Sequence, residues 1–288
     1  MRRVPAAFPV VLAVASSAAA QVAAPGGRAT FVAWSMSYAV PAGWQVAQQT
    51  ARVHTLLTPA GAQGPVIYVG PGMHQSFTDA GADLNKGFNA LGLTGMPTAQ
   101  PAATTIGGMQ AMTADYLGQN QMGMQYQARA VSVLTPHGTG FLVLGLAPAQ
   151  QPGEVRSVVD QLAQSLQVAG PPRPDPQAVA ALRGRWMYYA GRASGVTSAT
   201  GGSSNSYEEF VEFDGVGRFT YQSSASVSVT TPGLTGSAGR ADASSDEGTY
   251  TVIGTTLVVR GRQGQATYDI QILADRVIAD GRTYVRAN

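Results

Sequence analysis

Apolar and polar residues alternate in short runs through the first half of the chain, and these runs predict strands. Across residues 31–40 the apolar positions Val32, Trp34, Met36 and Tyr38 recur at every second place, which predicts one strand with a single buried face. Pro41-Ala-Gly43 turns the chain into Trp44-Gln45-Val46. Residues 52–57 and 66–69 read as further strands, broken by Thr58-Pro-Ala-Gly61 and Gly70-Pro-Gly72. The period then changes. Leu84, Phe88 and Leu91 fall at helical spacing and predict a helix over residues 79–91, with Ser76 or Thr78 as its cap.

After Gly107-Gly108, strand patterns return over residues 109–117 and 122–134, and Pro136-His-Gly-Thr-Gly140 leads into another over 141–146. A second helix is expected over residues 152–168, with Val155, Val158, Val159, Leu162 and Leu166 inward and Asp160, Gln161 and Gln164 outward. Strands, a helix, an antiparallel meander and a closing helix make an α+β arrangement in which helices cover an antiparallel sheet.

Residues 169–177 hold four prolines within six positions, so residues 169–178 are expected to form an extended, semi-rigid linker. It separates a first domain over residues 28–168 from a second over 179–288, each long enough for one core. Beyond the linker every pattern is β. A strand opens within residues 182–189, and a Gly/Ser/Thr-rich loop follows over 191–206. Strands over 207–213 and 219–223 form a hairpin about Asp214-Gly-Val-Gly217. After a polar stretch containing Thr231-Pro-Gly-Leu-Thr-Gly236, residues 248–252, 256–260, 266–272, 276–278 and 283–285 supply further short strands around Gly-based turns. That spacing predicts a meandering barrel or sandwich, an all-β domain.

Two resemblances attach to these patterns. The first domain carries Tyr38-Ala-Val-Pro-Ala-Gly-Trp44, the Gly107-Gly108 turn before Met109-Gln-Ala111, the long meander, and a closing helix ending in Gln164-Ser-Leu166. With these features, residues 28–168 resemble the PsbP-like family, named for an extrinsic subunit of photosystem II. The resemblance implies an α/β/α sandwich with a non-catalytic binding or accessory role, and it carries no functional residue to this chain. Gly184-Arg-Trp186 at the head of the first strand, with the up-and-down order over residues 182–288, resembles the lipocalin-like (calycin) architecture. That resemblance implies a meandering β-barrel, although the chain is shorter than a typical lipocalin and lacks the family's later motifs.

Charge and composition narrow the setting. Arg2 and Arg3 precede an apolar run over residues 4–14 and the small residues Ala18-Ala19-Ala20. Residues 1–20 are therefore expected to be a signal peptide cleaved near Ala20, which places the mature protein in the periplasm or outside the cell. The apolar run is far short of the roughly 20 residues that span a bilayer, so no membrane anchor is expected. The chain has no cysteine, which excludes disulfides, thiolate metal sites and a cysteine-borne lipid. Arg2 and Arg3 also account for the net charge of +2: without them sixteen basic residues face sixteen acidic ones. No nucleic-acid partner is expected of such a balance.

The candidate chemistry is sparse. His54, His74 and His137 are far apart in sequence, with no second histidine at metal-ligand spacing, so no zinc site is expected. No Gly-x-Ser-x-Gly, Ser-x-x-Lys or His-Glu-x-x-His motif is present. Glu208, Glu209, Glu212 and Asp214 form the densest charge, and paired carboxylates serve glycoside hydrolysis or calcium binding. On a strand, however, Glu208 and Glu212 share one face while Glu209 points to the other. Asp214 begins a turn, where its side chain caps its own backbone. The cluster reads as a solvated strand face ending in a turn aspartate, and Asp242, Asp246 and Glu247 read as loop residues. Among the methionines, Met122 and Met124 are expected on one strand face with Met112 across the hairpin, a soft thioether set suited to Cu(I). The plainer reading is flexible core filler. Gly107-Gly108 and Gly201-Gly202 do not make a phosphate loop, and no cofactor is expected.

These readings point to an exported, non-enzymatic protein that docks on or assists an envelope partner. The alternative is a carrier of a small apolar ligand within the second domain. Trp186, Tyr188, Phe219, Tyr221, Tyr250 and Tyr268 would then line the barrel interior, although their alternation describes a filled core equally well. A hydrolase is the third reading.

Overall fold

The computed structural model describes residues 27–61, 64–150, 153–194, 202–231, 234–236 and 242–287. The expected signal peptide lies outside them. In chain order the first domain comprises β1 (Arg28–Phe31), β2 (Met36–Ala39), β3 (Gln45–Gln49), β4 (His54–Leu57), β5 (Val66–Gly72), α1 (Phe77–Ala90), β6 (Leu93–Pro97), β7 (Ala102–Ile106), β8 (Met109–Asn120), β9 (Gln125–Leu134), β10 (Gly140–Pro148), α2 (Gly153–Gln164) and β11 (Gln167–Val168).

The single strand expected over residues 31–40 is instead a hairpin. A 3₁₀ turn spans Val32–Trp34, and Ser35 takes the left-handed conformation at φ 54°, which reverses the chain so that Phe31 pairs with Met36. Trp34, Met36 and Tyr38 are still buried, as the alternation requires, but Val32 swings out to solvent. β11 adds to β2 and completes a small three-stranded sheet.

The main sheet is antiparallel, in the order β3-β4-β5-β10-β9-β8-β6. β7 lies beside β6 along the same edge of the long β8. β7 and β8 are joined by Gly107 and Gly108, both at positive φ as a tight hairpin turn demands. The helix expected at 79–91 is α1, and Ser76 is its cap. The Ser76 hydroxyl accepts the Asp79 N–H at 3.2 Å, and Asp79 accepts the Ser76 N–H at 3.0 Å, a capping box.

The two helices cover opposite faces of the main sheet. Leu84 and Phe88 of α1 pack on Tyr126, Ala128, Leu144 and Leu146. Val155, Val159, Leu162 and Ala163 of α2 pack with Val131, Val133, Phe141, Val143 and the small sheet. α2 approaches closely because Gly145 faces it. A Cβ there would meet Val159 Cγ2 at 2.4 Å and Val155 Cγ2 at 2.8 Å. The first domain is therefore an α/β/α arrangement.

The proline-rich segment is not a free spacer. The Arg173 N–H donates to the Ala33 carbonyl at 2.6 Å, and the Asp175 N–H donates to that of Val252 at 2.8 Å, so the segment is fastened to both domains. Its last residues open a short helix, α3 (Pro176–Ala181). Pro176 stands at the first helical position, where a missing N–H is harmless, and Asp175 Oδ1 accepts the N–H groups of Gln177 and Ala178.

The second domain is β12 (Gly184–Ser194), β13 (Gly202–Phe213), β14 (Arg218–Thr231), β15 (Leu234–Gly236), β16 (Asp242–Ile253), β17 (Thr256–Gly261), β18 (Gly264–Ile272), β19 (Arg276–Ala279) and β20 (Arg282–Arg286). Apart from the short β15, which hangs on β14, each strand pairs antiparallel with the next. β20 returns to β12, with Trp186 opposite Arg286. This closes an eight-stranded barrel, with β12 beyond Met187 paired to β13 alone. Asp242, Asp246 and Glu247, expected in a loop, belong to β16. Of the Gly/Ser/Thr-rich stretch read as a loop over 191–206, residues 191–194 and 202–206 belong to β12 and β13, and the remainder lies outside the described residues.

The barrel wall also touches the first domain. Ile253 and Val258 are buried in the first domain's core cluster. No described helix is long and apolar enough to cross a membrane.

Candidate functional site

Alternation along the barrel strands sets one row of side chains inward. On β13 this row holds Tyr207, Glu209, Val211 and Phe213, and on β14 it holds Phe219 and Tyr221 facing them. α3 closes one end. The Tyr250 hydroxyl donates to the Val179 carbonyl at 3.0 Å, and the Trp186 indole N–H donates to that of Leu182 at 2.7 Å.

Above this floor the barrel is hollow. A cavity of about 430 Å³ is lined by Trp186, Val211, Phe219, Leu257, Val259 and Val277 among others, and it reaches the turn residues Gln263 and Gly264 at the opposite end. Its polar lining comes from Tyr221, Tyr268, Tyr284, Ser244, Asp246, Gln263 and Gln265. Asp246 Oδ1 accepts the Arg262 N–H at 2.8 Å and so steadies the turn at that end. Gly261 leaves room for this carboxylate: a Cβ there would meet Asp246 Oδ2 at 2.0 Å.

The wall beside the cavity carries a buried carboxylate. Glu209 is 4% exposed. Its Oε1 accepts from the Tyr207 hydroxyl at 2.5 Å, from Arg282 at 3.1 Å and from Tyr221 at 3.2 Å, and its Oε2 accepts from Tyr284 at 2.6 Å. Burial pushes the Glu209 carboxyl up. The hydrogen bonds from Tyr207 and Tyr284, the Arg282 charge and the Tyr221 hydrogen bond outweigh burial and hold it below the usual range. The group is therefore ionised at neutral pH. Burial, then the bond to Glu209, pushes the Tyr207 and Tyr284 hydroxyls well up, so both keep their protons.

Of the six aromatic residues expected to line the barrel, Trp186, Phe219, Tyr221 and Tyr268 line the cavity. Tyr188 packs against Tyr284 instead, with ring centroids 5.5 Å apart and the Arg282 guanidinium 5.4 Å from its ring. Tyr250 belongs to the closed end, its ring 4.6 Å from that of Phe213.

No protein-family model matches the chain, and no curated protein matches it. Among solved structures, the chain is similar to the solution structure of cyanobacterial PsbP (CyanoP) from Synechocystis sp. PCC 6803. The match has 15% identity, a TM-score of 0.37, and covers 54% of this chain and 98% of that one.

The acidic cluster does not behave as one solvated face. Glu212 and Asp214 are exposed, whereas Glu209 is buried inside the barrel. Asp214 caps its own turn, its Oδ1 accepting the N–H groups of Val216, Gly217 and Arg218 at 2.8–2.9 Å.

The copper set is not assembled. Met122 and Met124 lie in the turn between β8 and β9 rather than on a strand, and Met122 is 80% exposed. Met112 sits eight residues back along β8 from Asn120, about 26 Å away at the rise of a strand. No group of three or more histidine or acidic residues able to hold a metal occurs among the described residues.

His54 and His74 are both buried, and His137 is exposed in its turn. His74 Nε2 lies 2.9 Å from Asp83 Oδ2, a pairing across nine positions that no short motif announces. Tyr207, Glu209, Arg282 and Tyr284 were missed as a site. Their signal is alternation: Tyr207 and Glu209 continue inward from Val211 and Phe213, and Arg282 alternates with Tyr284.

Proposed function

We propose that this protein binds a small, mostly apolar molecule inside its second domain. The supporting observation is the cavity of about 430 Å³, apolar over most of its wall with a few convergent polar groups. Sites for small molecules fall in the range of roughly 300–1,000 Å³ with this kind of lining. A filled barrel would have favoured the docking role expected first from the sequence. The hollow interior is the reason to prefer the carrier reading.

The test is mass spectrometry of the protein purified from its own host, first under native conditions and then after denaturation. A released small molecule supports the proposal. A clean apo-protein that also takes up no apolar fluorescent probe counts against it.

One observation keeps the docking reading as a second. Met96 and Leu117 stand opposite each other on β6 and β8 and are 77% and 51% exposed, an apolar pair at the sheet edge. A protein retained with the chain in the same native spectra would support that role.

A further inference from the structure

The hydroxyls on the polar wall of the cavity are not equivalent. A carboxylate has no proton to give and accepts at about four positions. Glu209 receives four donors: Tyr207, Tyr221, Arg282 and Tyr284. Each phenol carries one proton. Tyr221 and Tyr284 direct theirs at Glu209. The Tyr221 oxygen also lies 3.3 Å from that of Tyr207 and Tyr284 also pairs with Arg282, so towards the cavity each offers only its remaining lone pair, as an acceptor.

Tyr268 differs. Its hydroxyl makes no hydrogen bond within the described residues, and the side chain is 38% exposed. Partial burial and the nearby Glu209 push its pKa up, so it keeps its proton. On the tyrosine wall, then, committed acceptors stand beside one donor without a protein partner, next to an apolar wall of Trp186, Val211, Phe219, Leu257 and Val259, while the Gln263 amide lies at the turn end of the cavity.

A hydroxyl group gives one hydrogen bond and takes another, so it satisfies both kinds of partner. A carboxylate has nothing to donate to Tyr221 or Tyr284. It would also bring a second negative charge towards Glu209, while Arg282 is already engaged. We propose that the barrel selects a neutral, hydroxyl-bearing apolar molecule, an aliphatic alcohol in chemical class, over the matching carboxylate. This selectivity rests on the reading of the barrel as a ligand site.

The experiment titrates the full chain with 1-decanol and, separately, with ionised decanoate, following the change in tryptophan emission, to which Trp186 in the cavity lining contributes alongside Trp34 and Trp44 of the first domain's core, and confirming the result by calorimetry. The alcohol should bind tighter by about tenfold or more, the effect of leaving buried acceptors unpaired. Tyr221→Phe removes a cavity acceptor and also one of the four donors to Glu209, so it should weaken decanol by about tenfold and should not tighten decanoate. Glu209→Gln removes the charge that holds the phenol protons and should narrow the gap between the two ligands. Tyr221→Phe keeps the test open if the Glu209 variant fails to fold.

Decanoate binding as tightly as decanol would overturn the selectivity while leaving the ligand site standing. So would a Tyr221→Phe chain that keeps the full preference. If a folded chain binds neither ligand, the ligand site and the selectivity fall together.

Discussion

The hydroxyl of Tyr38 lies 2.8 Å from Nδ1 of His54 in the core of the first domain, and Phe31 stacks on the imidazole with ring centroids 3.8 Å apart. His54 Nε2 is buried without a hydrogen-bond partner. Burial lowers the pKa of this histidine from 6.5 to about 4 and pushes the Tyr38 hydroxyl up, so the pair is neutral at neutral pH.

That relationship predicts an acid sensitivity. Between pH 6.5 and about pH 4 an unfolded chain binds a proton at His54 that the folded chain refuses. Stability contributed by the neutral ring is complete above pH 6.5 and is lost as pH falls towards 4, by on the order of 3 kcal/mol at the lower end. Thermal melts across this window should show a smaller loss for His54→Gln than for the wild-type chain.

Filling the cavity should separate binding from folding. Ala266 lines the empty volume, so Ala266→Phe adds a ring where there is space for it. Uptake of an apolar probe should fall by at least about tenfold, with a melting temperature within a few degrees of wild type. Fluorescence titration and thermal melts of the same sample check both outcomes.

The closeness of α2 to the sheet makes Gly145 sensitive. Gly145→Ala would press a methyl onto Val155 and Val159, both buried, and neither branched side chain has room to withdraw. A loss of about 1–3 kcal/mol is expected from overpacking of this kind. Denaturant unfolding measures it, with Gly81→Ala, which meets open space, as the control.

Arg129 joins α2 to the sheet through Asp160 at 3.0 Å and Asp115 at 3.2 Å, with its own side chain nearly buried. Arg129→Ala leaves both carboxylates without this partner in a half-buried site. It should cost about 2 kcal/mol, less than a fully buried pair because both aspartates retain solvent. Arg129→Met, which keeps the packing stem, should recover part of that loss in the same unfolding assay.

Local chemistry was readable along the chain, and it carried much of the fold. The Ser76 cap, the Gly107-Gly108 turn and the Asp214 turn each depend on neighbours within a few residues, and each stands as its residue types require. The residues 31–40 misled because alternation is satisfied equally by one strand and by a strand, a 3₁₀ turn and another strand. Trp34, Met36 and Tyr38 are buried either way, and only the left-handed Ser35 separates the two. The methionines misled for a similar reason: their spacing matched a strand face, but the chain turns at Asn120–Met124.

By itself, the sequence determined that the second half would be a meander of short strands, and that Glu209 and Glu212 would point to opposite faces. A period of two decides which residues share a face, not which face is inside. That choice came from closure. The pairing of Trp186 with Arg286 joins residues at opposite ends of the domain and wraps the sheet around Tyr207, Glu209 and Tyr284. Only the tertiary structure could leave the middle of that barrel hollow, because a cavity is the volume that many separate side chains fail to fill.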